Sequence, residues 1–313
     1  MTPQRPPTVS VIEPISPAFE KVKTILFSPF DLRKWFVIGF CAWLAYLGKG
    51  GGGGSGGGRG GGPSEAREAF GEAKVFVSEN LAWIIPVALI GVMLIVVVWL
   101  VFTWLSSRGR FMFLHCVAQN KDEVKVPWTK FQQHANSLFL FRIVLGLIGF
   151  ATIGLPLLLA GGLIAIMIVG NIPDIAGVFG IVMIVLVIVA IAIVFTIIAK
   201  FTTDFVVPIM FLRTTSCVAA WREFLTLLSV NKGRFALYIL FQIVISLAIG
   251  AIVLTAVFVT CCCAACILAL PYIGTVLMLP VLVFKRAYSL LYLGQFGPEF
   301  DVFRPETEMA LPG

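Results

Sequence analysis

Four stretches of this chain carry no charged residue: Asn80–Ser107 (28 residues), Ile143–Pro173 (31), Ile175–Ala199 (25) and Phe235–Phe284 (50). About 20 mostly apolar residues suffice for a helix to cross a bilayer. Each run is therefore long enough for a span, and the last is long enough for two. Lipid admits only helices and closed barrels, because backbone polar groups must be satisfied internally. A barrel strand alternates apolar and polar residues over about 10 positions. The run GIVMIVLVIVAIAIVFTIIA at 180–199 is continuous instead. The expected fold class is therefore all-α, a polytopic helical membrane bundle. Composition agrees: 59% of the 313 residues are apolar and 12% charged, against about 25% charged in soluble domains. A soluble enzyme, a coiled coil, a disordered chain and a secreted disulfide scaffold are excluded.

Six spans are expected. The first, Trp35–Leu47, is short, and reaches a usable length only from Phe30, with Arg33 and Lys34 extended toward the headgroups. The others fall near Leu81–Leu105, Leu138–Gly170, Gly177–Lys200, Phe235–Val259 and Tyr272–Leu293. Pro156, between Gly154 and Gly161, predicts a kink or tilt in the third. The fourth can continue past the membrane toward Asp204. Residues 1–17 carry five prolines and no apolar run, and read as a disordered cytosolic leader. Residues 18–295 form the helical membrane domain, interrupted by a flexible Gly-rich loop at 48–64 that reads as a spacer. Residues 296–313 form a polar tail.

Charge orients the bundle. With the N-terminus cytosolic, 19 of the 23 Lys and Arg fall on the inner side and 4 on the outer. If Trp35–Leu47 did not cross, the split would weaken to 14 and 9. The expectation is a bacterial cytoplasmic (inner) membrane protein with both termini cytosolic. The net charge of +7 is then a consequence of orientation, with no nucleic acid required; the polyanions at hand are anionic lipid headgroups of the inner leaflet.

Three stretches share one plan, a short amphipathic segment followed by a span: 18–40, 126–150 and 219–241. Trp128 and Phe131 in the second match Trp221 and Phe224 in the third, and FMFLH (111–115) matches IMFLR (209–213). The pattern suggests a threefold hairpin repeat with short cytosolic interfacial helices, Trp128 and Trp221 serving as interfacial anchors. On PIMFLRTTSCVAAWREF (208–224) and ILFSPFDLRKWFVIGFCAWLAYLG (25–48), the chain resembles uncharacterised bacterial multi-pass membrane families. These are loosely similar to the membrane domain fused to some glycerophosphodiester phosphodiesterases. The resemblance implies a membrane domain and no activity, since no His/Glu/Asp metal site of the catalytic domain is present.

Little here carries chemistry. Cys261, Cys262, Cys263 and Cys266 lack the second ligand pair of a structural zinc site and read as small-residue helix packing. His115 and His134 lie in the expected loop 106–137 and read as surface or interfacial residues. Apart from Lys285 and Arg286, which fall within the last expected span, no ionisable group lies deep inside a span, where ion-coupled transporters and intramembrane enzymes keep theirs. No catalytic, cofactor or metal residue is assigned, and the chain is expected not to be an enzyme. Four residues remain as lipid-headgroup or structural polar contacts: Arg142, Asp204, Arg213 and Gln242. Arg142 could pair with Asp204 or bind a lipid phosphate; Gln242 is suited to an interhelical hydrogen bond. The expected function is a membrane scaffold or assembly partner, engaging a protein partner or a second copy. The alternative is a passive transporter or a lipid or small-hydrophobe handling protein.

Overall fold

A computed structural model describes residues 9–47, 80–122, 124–170, 175–260 and 263–303. Residues 1–8 of the expected leader, the Gly-rich loop 48–64, Cys261 and Cys262, and residues 304–313 of the tail lie outside the described residues. Among the described residues every regular element is helical. In chain order these are α1 (Ile15–Val22), running into a π-helical turn (Lys23–Phe27); α2 (Leu32–Tyr46); α3 (Leu81–Gln119); α4 (Lys125–Lys130); and α5 (Gln132–Gly170). Next come α6 (Ile175–Phe201), a second π-helical turn (Thr202–Val206), α7 (Val207–Arg213), α8 (Cys217–Val230) and α9 (Lys232–Val259). The chain closes with α10 (Cys263–Ala269), α11 (Pro271–Leu277), α12 (Leu279–Gly294) and a 3₁₀ turn (Pro298–Phe300).

Among the described residues, four helical stretches are long and apolar enough to cross a membrane: Ala82–Gln119, Gln132–Ile164, Gly177–Arg213 and Lys232–Val259. A fifth arises if α11 and α12 count as one span, bent by 62°. The bend has a local cause. Pro280 stands in the first turn of α12 and supplies no N–H to continue the ladder from α11. α2 spans 15 residues, about 22 Å of helix, and falls short of the same criterion. The six expected spans thus reduce to four or five by length and composition. Pro156 does not break its helix; α5 runs through it.

The chain divides into two compact units: Met1–Gly50, Trp104–Phe141 and Lys200–Gly313 in the first, Gly51–Thr103 and Arg142–Ala199 in the second. The second is almost all outward-facing hydrocarbon, with Trp83 77%, Phe150 78% and Leu158 75% exposed. An apolar surface of that extent fits lipid rather than water. Within this unit Gly146 lets the Trp99 ring lie close to the α5 backbone.

The first unit has a dense core. α1 lays its Ala18 face on α12, with Phe19 4.7 Å from Phe284. The chain entering α1 is tied down as well: the Ser10 N–H donates to Gln295 and the Tyr288 hydroxyl donates to the Val11 carbonyl. The start of the expected polar tail also packs inward, with Phe300 and Val302 buried. Asp31 caps α2 by accepting the Arg33 N–H at 2.8 Å, and Ser216 caps α8 through the Ala219 N–H.

The largest departure from expectation is α3. Ser106-Ser107-Arg108-Gly109-Arg110 reads as the exit into a cytosolic loop, yet the helix continues to Gln119. The reason is packing against α2. A Cβ at Gly109 would lie 2.5 Å from the Ala45 nitrogen and the Leu44 carbonyl carbon, so the two backbones meet where a side chain is missing. Beside it the Ser106 hydroxyl donates to the Ala45 carbonyl at 3.0 Å. Further along, Cys41 and Cys116 are both fully buried with their sulfurs 3.8 Å apart. A membrane-permeable oxidant is expected to join them into one intrachain disulfide. Non-reducing peptide mapping that finds both thiols unpaired after such treatment would contradict this packing.

Candidate functional site

The first unit holds a closed polar ring built from two helices. Lys200 and Asp204 lie four residues apart where α6 passes into its π turn; Tyr238 and Gln242 lie four apart on α9. The Lys200 ammonium is 2.8 Å from Asp204 Oδ2, and the Tyr238 hydroxyl donates to the same oxygen at 2.9 Å. Gln242 Nε2 donates to the Tyr238 oxygen at 3.1 Å, and Lys200 donates back to Gln242 Oε1 at 3.4 Å. Asp204, Tyr238 and Gln242 are buried, whereas the Lys200 side chain is 38% exposed. Asp204 thus pairs with Lys200, and Gln242 makes its interhelical bond to the same lysine. Around the ring lie Phe205, stacked on Phe224, and Tyr292, whose ring centroid is 4.7 Å from that of Tyr238.

The π turn follows from Pro208. The Val207 N–H bonds the Thr202 carbonyl, five residues back. The same register would give the Thr203 carbonyl to residue 208, but proline has no N–H. Arg286 fills the gap: its Nη1 donates to the Thr203 carbonyl at 2.6 Å. Arg286 is 5% exposed, and its Nε and Nη2 have no hydrogen-bond partner among the described residues. A guanidinium is held there partly by Asp204 nearby.

The other sequence candidates are placed separately. Arg142 belongs to the second unit, where its Nη1 donates to the Thr103 carbonyl at 3.2 Å. Arg213 forms an ion pair with Glu223 at 3.1 Å, closing α7 onto α8. Trp128 and Trp104 stand edge to face, and the Arg108 guanidinium lies 4.8 and 4.4 Å from their ring centres. Trp221 packs on Phe141 and Phe224. His115 departs from its expected surface position. It is 2% exposed, between Phe131 and Phe211, because α3 carries it into the core. Of the cysteines, Cys266 is exposed and free, while burial pushes the Cys217 thiol up to about 12 and keeps it protonated. Among the described residues no three His, Cys, Asp or Glu side chains gather as a metal site would need.

Sequence reading missed Lys200, Tyr238, Arg286 and Arg108. Two of them had a signal: Lys200–Asp204 and Trp104–Arg108 are both spaced i,i+4, which puts each pair on one helix face.

A family model described as a family of unknown function, DUF7544, matches residues 9–279. The chain belongs to this family. The match includes all four ring residues and ends at the first residue of α12, before Arg286. No curated protein and no solved structure matches the chain. None of these comparisons supports the likeness to phosphodiesterase-fused membrane domains.

Proposed function

We propose that the protein is an integral membrane scaffold or assembly partner with no chemistry of its own. The polar ring supports this reading. Its buried members bond to one another, so they fix the register of α6 against α9 and leave no reactive group facing a substrate. In this reading the apolar helices anchor the protein in a bacterial inner membrane, and the compact first unit presents the surface that holds a partner. Affinity capture of the full-length chain in mild detergent is expected to bring down one polypeptide in fixed ratio, and an Arg142→Gln variant to do so equally. Recovery of the bare chain under every mild solubilisation condition would refute the proposal.

The orientation belongs to the same proposal. α2 completes a sixth crossing with snorkelling Arg33 and Lys34 and local bilayer thinning, and the 19 to 4 division of Lys and Arg then places both termini in the cytosol. A reporter fused at residue 58 is expected to be active only outside the cytosol; cytosolic activity there would remove α2 from the list of spans. The threefold plan is part of the proposal too: α1 with its π turn leads into α2, α4 into α5, and α8 into α9. A second reading, handling of lipid or a small hydrophobe, is favoured by an apolar groove between α8 and α9.

A further inference from the structure

That groove has a volume of about 400 Å³, within the range of small-molecule sites. Phe201 and Phe235, both buried, form its floor, and Leu225, Leu228 and Ile239 line its sides. The one polar uncharged side chain at its edge, Ser229, already donates its hydroxyl to the Thr226 carbonyl at 2.8 Å. Water would find almost nothing to bond to there. The only charged lining residue is Lys232. Its side chain is exposed and has no hydrogen bond or ion pair among the described residues. Lys232 is also the first residue of α9, whose N-terminus no side chain caps, so the helix adds partial positive charge at the same lip.

We propose that this groove binds one anionic phospholipid, with an acyl chain along Phe201, Phe235 and Ile239 and the phosphate at Lys232. Depth supports the assignment. Lys232 begins a stretch that can cross the membrane, Lys232–Val259, so it stands where headgroups lie. Phe235 and Ile239 follow by three and seven residues, about 5 and 10 Å further along the helix, where an acyl chain begins. A cation at the lip and hydrocarbon below match a phospholipid end to end, and no acidic residue lines the groove to repel the phosphate. This holds whether or not the protein is a scaffold.

The test uses the full-length chain reconstituted in vesicles with equal amounts of phosphatidylglycerol and phosphatidylethanolamine, extracted in mild detergent and weighed by native mass spectrometry. The wild type is expected to keep one phosphatidylglycerol. Lys232→Gln, at an exposed position, should lower the retained phosphatidylglycerol-to-phosphatidylethanolamine ratio about fivefold. Ser229→Trp should fill the groove and release both lipids without moving the unfolding temperature. An unchanged ratio in Lys232→Gln, retention of lipid by Ser229→Trp, or capture of a polypeptide instead of lipid by a photocrosslinker at position 229 would each overturn the proposal.

Discussion

An Asp204→Ala variant is expected to lose about 3 kcal/mol of stability. The carboxylate receives two bonds, from Lys200 at 2.8 Å and from the Tyr238 hydroxyl at 2.9 Å. These do not count equally. The Lys200 side chain is 38% exposed and can turn to water, so its release costs little. Tyr238 is fully buried and cannot turn away, and an unmet hydroxyl there costs about 1–3 kcal/mol. The buried Arg286 also loses its nearby negative charge. Tyr238→Phe alone should cost about 1 kcal/mol, because it removes the donor and leaves a solvated partner for the acid. The double variant should then be less destabilised than the sum of the two, since the orphaned hydroxyl goes with its partner. Thermal unfolding in detergent, read with a thiol-reactive dye, suits this test: Cys41, Cys116 and Cys217 are buried and become reactive when the first unit opens. Strict additivity would mean that Asp204 and Tyr238 act independently and that the ring is not a unit.

Gly109→Val is expected to be at least as severe. The new Cβ would sit 2.5 Å from backbone atoms of Leu44 and Ala45, which cannot rotate aside as a side-chain tip can. α2 and α3 must separate, at a cost of about 3 kcal/mol, the upper part of the range for overpacked sites. The separation should also abolish the Cys41–Cys116 crosslink, which gives a readout independent of melting. Gly91, on the same helix, is the control. A Cβ there meets nothing within 4 Å, so Gly91→Ala should leave stability unchanged or raise it slightly through helix propensity. Equal behaviour of the two variants would remove the case for close backbone approach at Gly109.

The long helices were legible because uncharged runs have few fates. Their ends were not. The charge at Arg108 suggested that α3 had left the membrane and become a loop, when two tryptophans on α3 and α4 flank that guanidinium and the helix goes on to Gln119. The same misreading placed His115 at the surface. Pro280, by contrast, is a visible interruption inside the span expected at 272–293, and the 62° bend falls beside it. In the candidate site, Asp204 and Gln242 stood out as the polar residues of largely apolar segments. Tyr238, which joins them, did not, because the residue of α9 that meets Asp204 depends on how the helices are registered in three dimensions, which spacing along one helix does not contain. Arg286 was harder still: its role depends on a carbonyl that the π turn sets free.

That turn gives the region slack in length. Each residue advances an α-helix by about 100°, and the π turn holds one residue more than an α-helical turn would. Deleting a single residue between 202 and 206 would let the ladder close as a regular α-helix and leave the helix beyond close to its present rotation, with Arg213 still near Glu223. What the deletion removes is the open Thr203 carbonyl that Arg286 meets. Regular helix has no such slack. A one-residue deletion within 239–241 of α9 would swing Gln242 by about 100° away from the Lys200 it meets. The deletion in the turn should therefore be tolerated more readily than the deletion in α9.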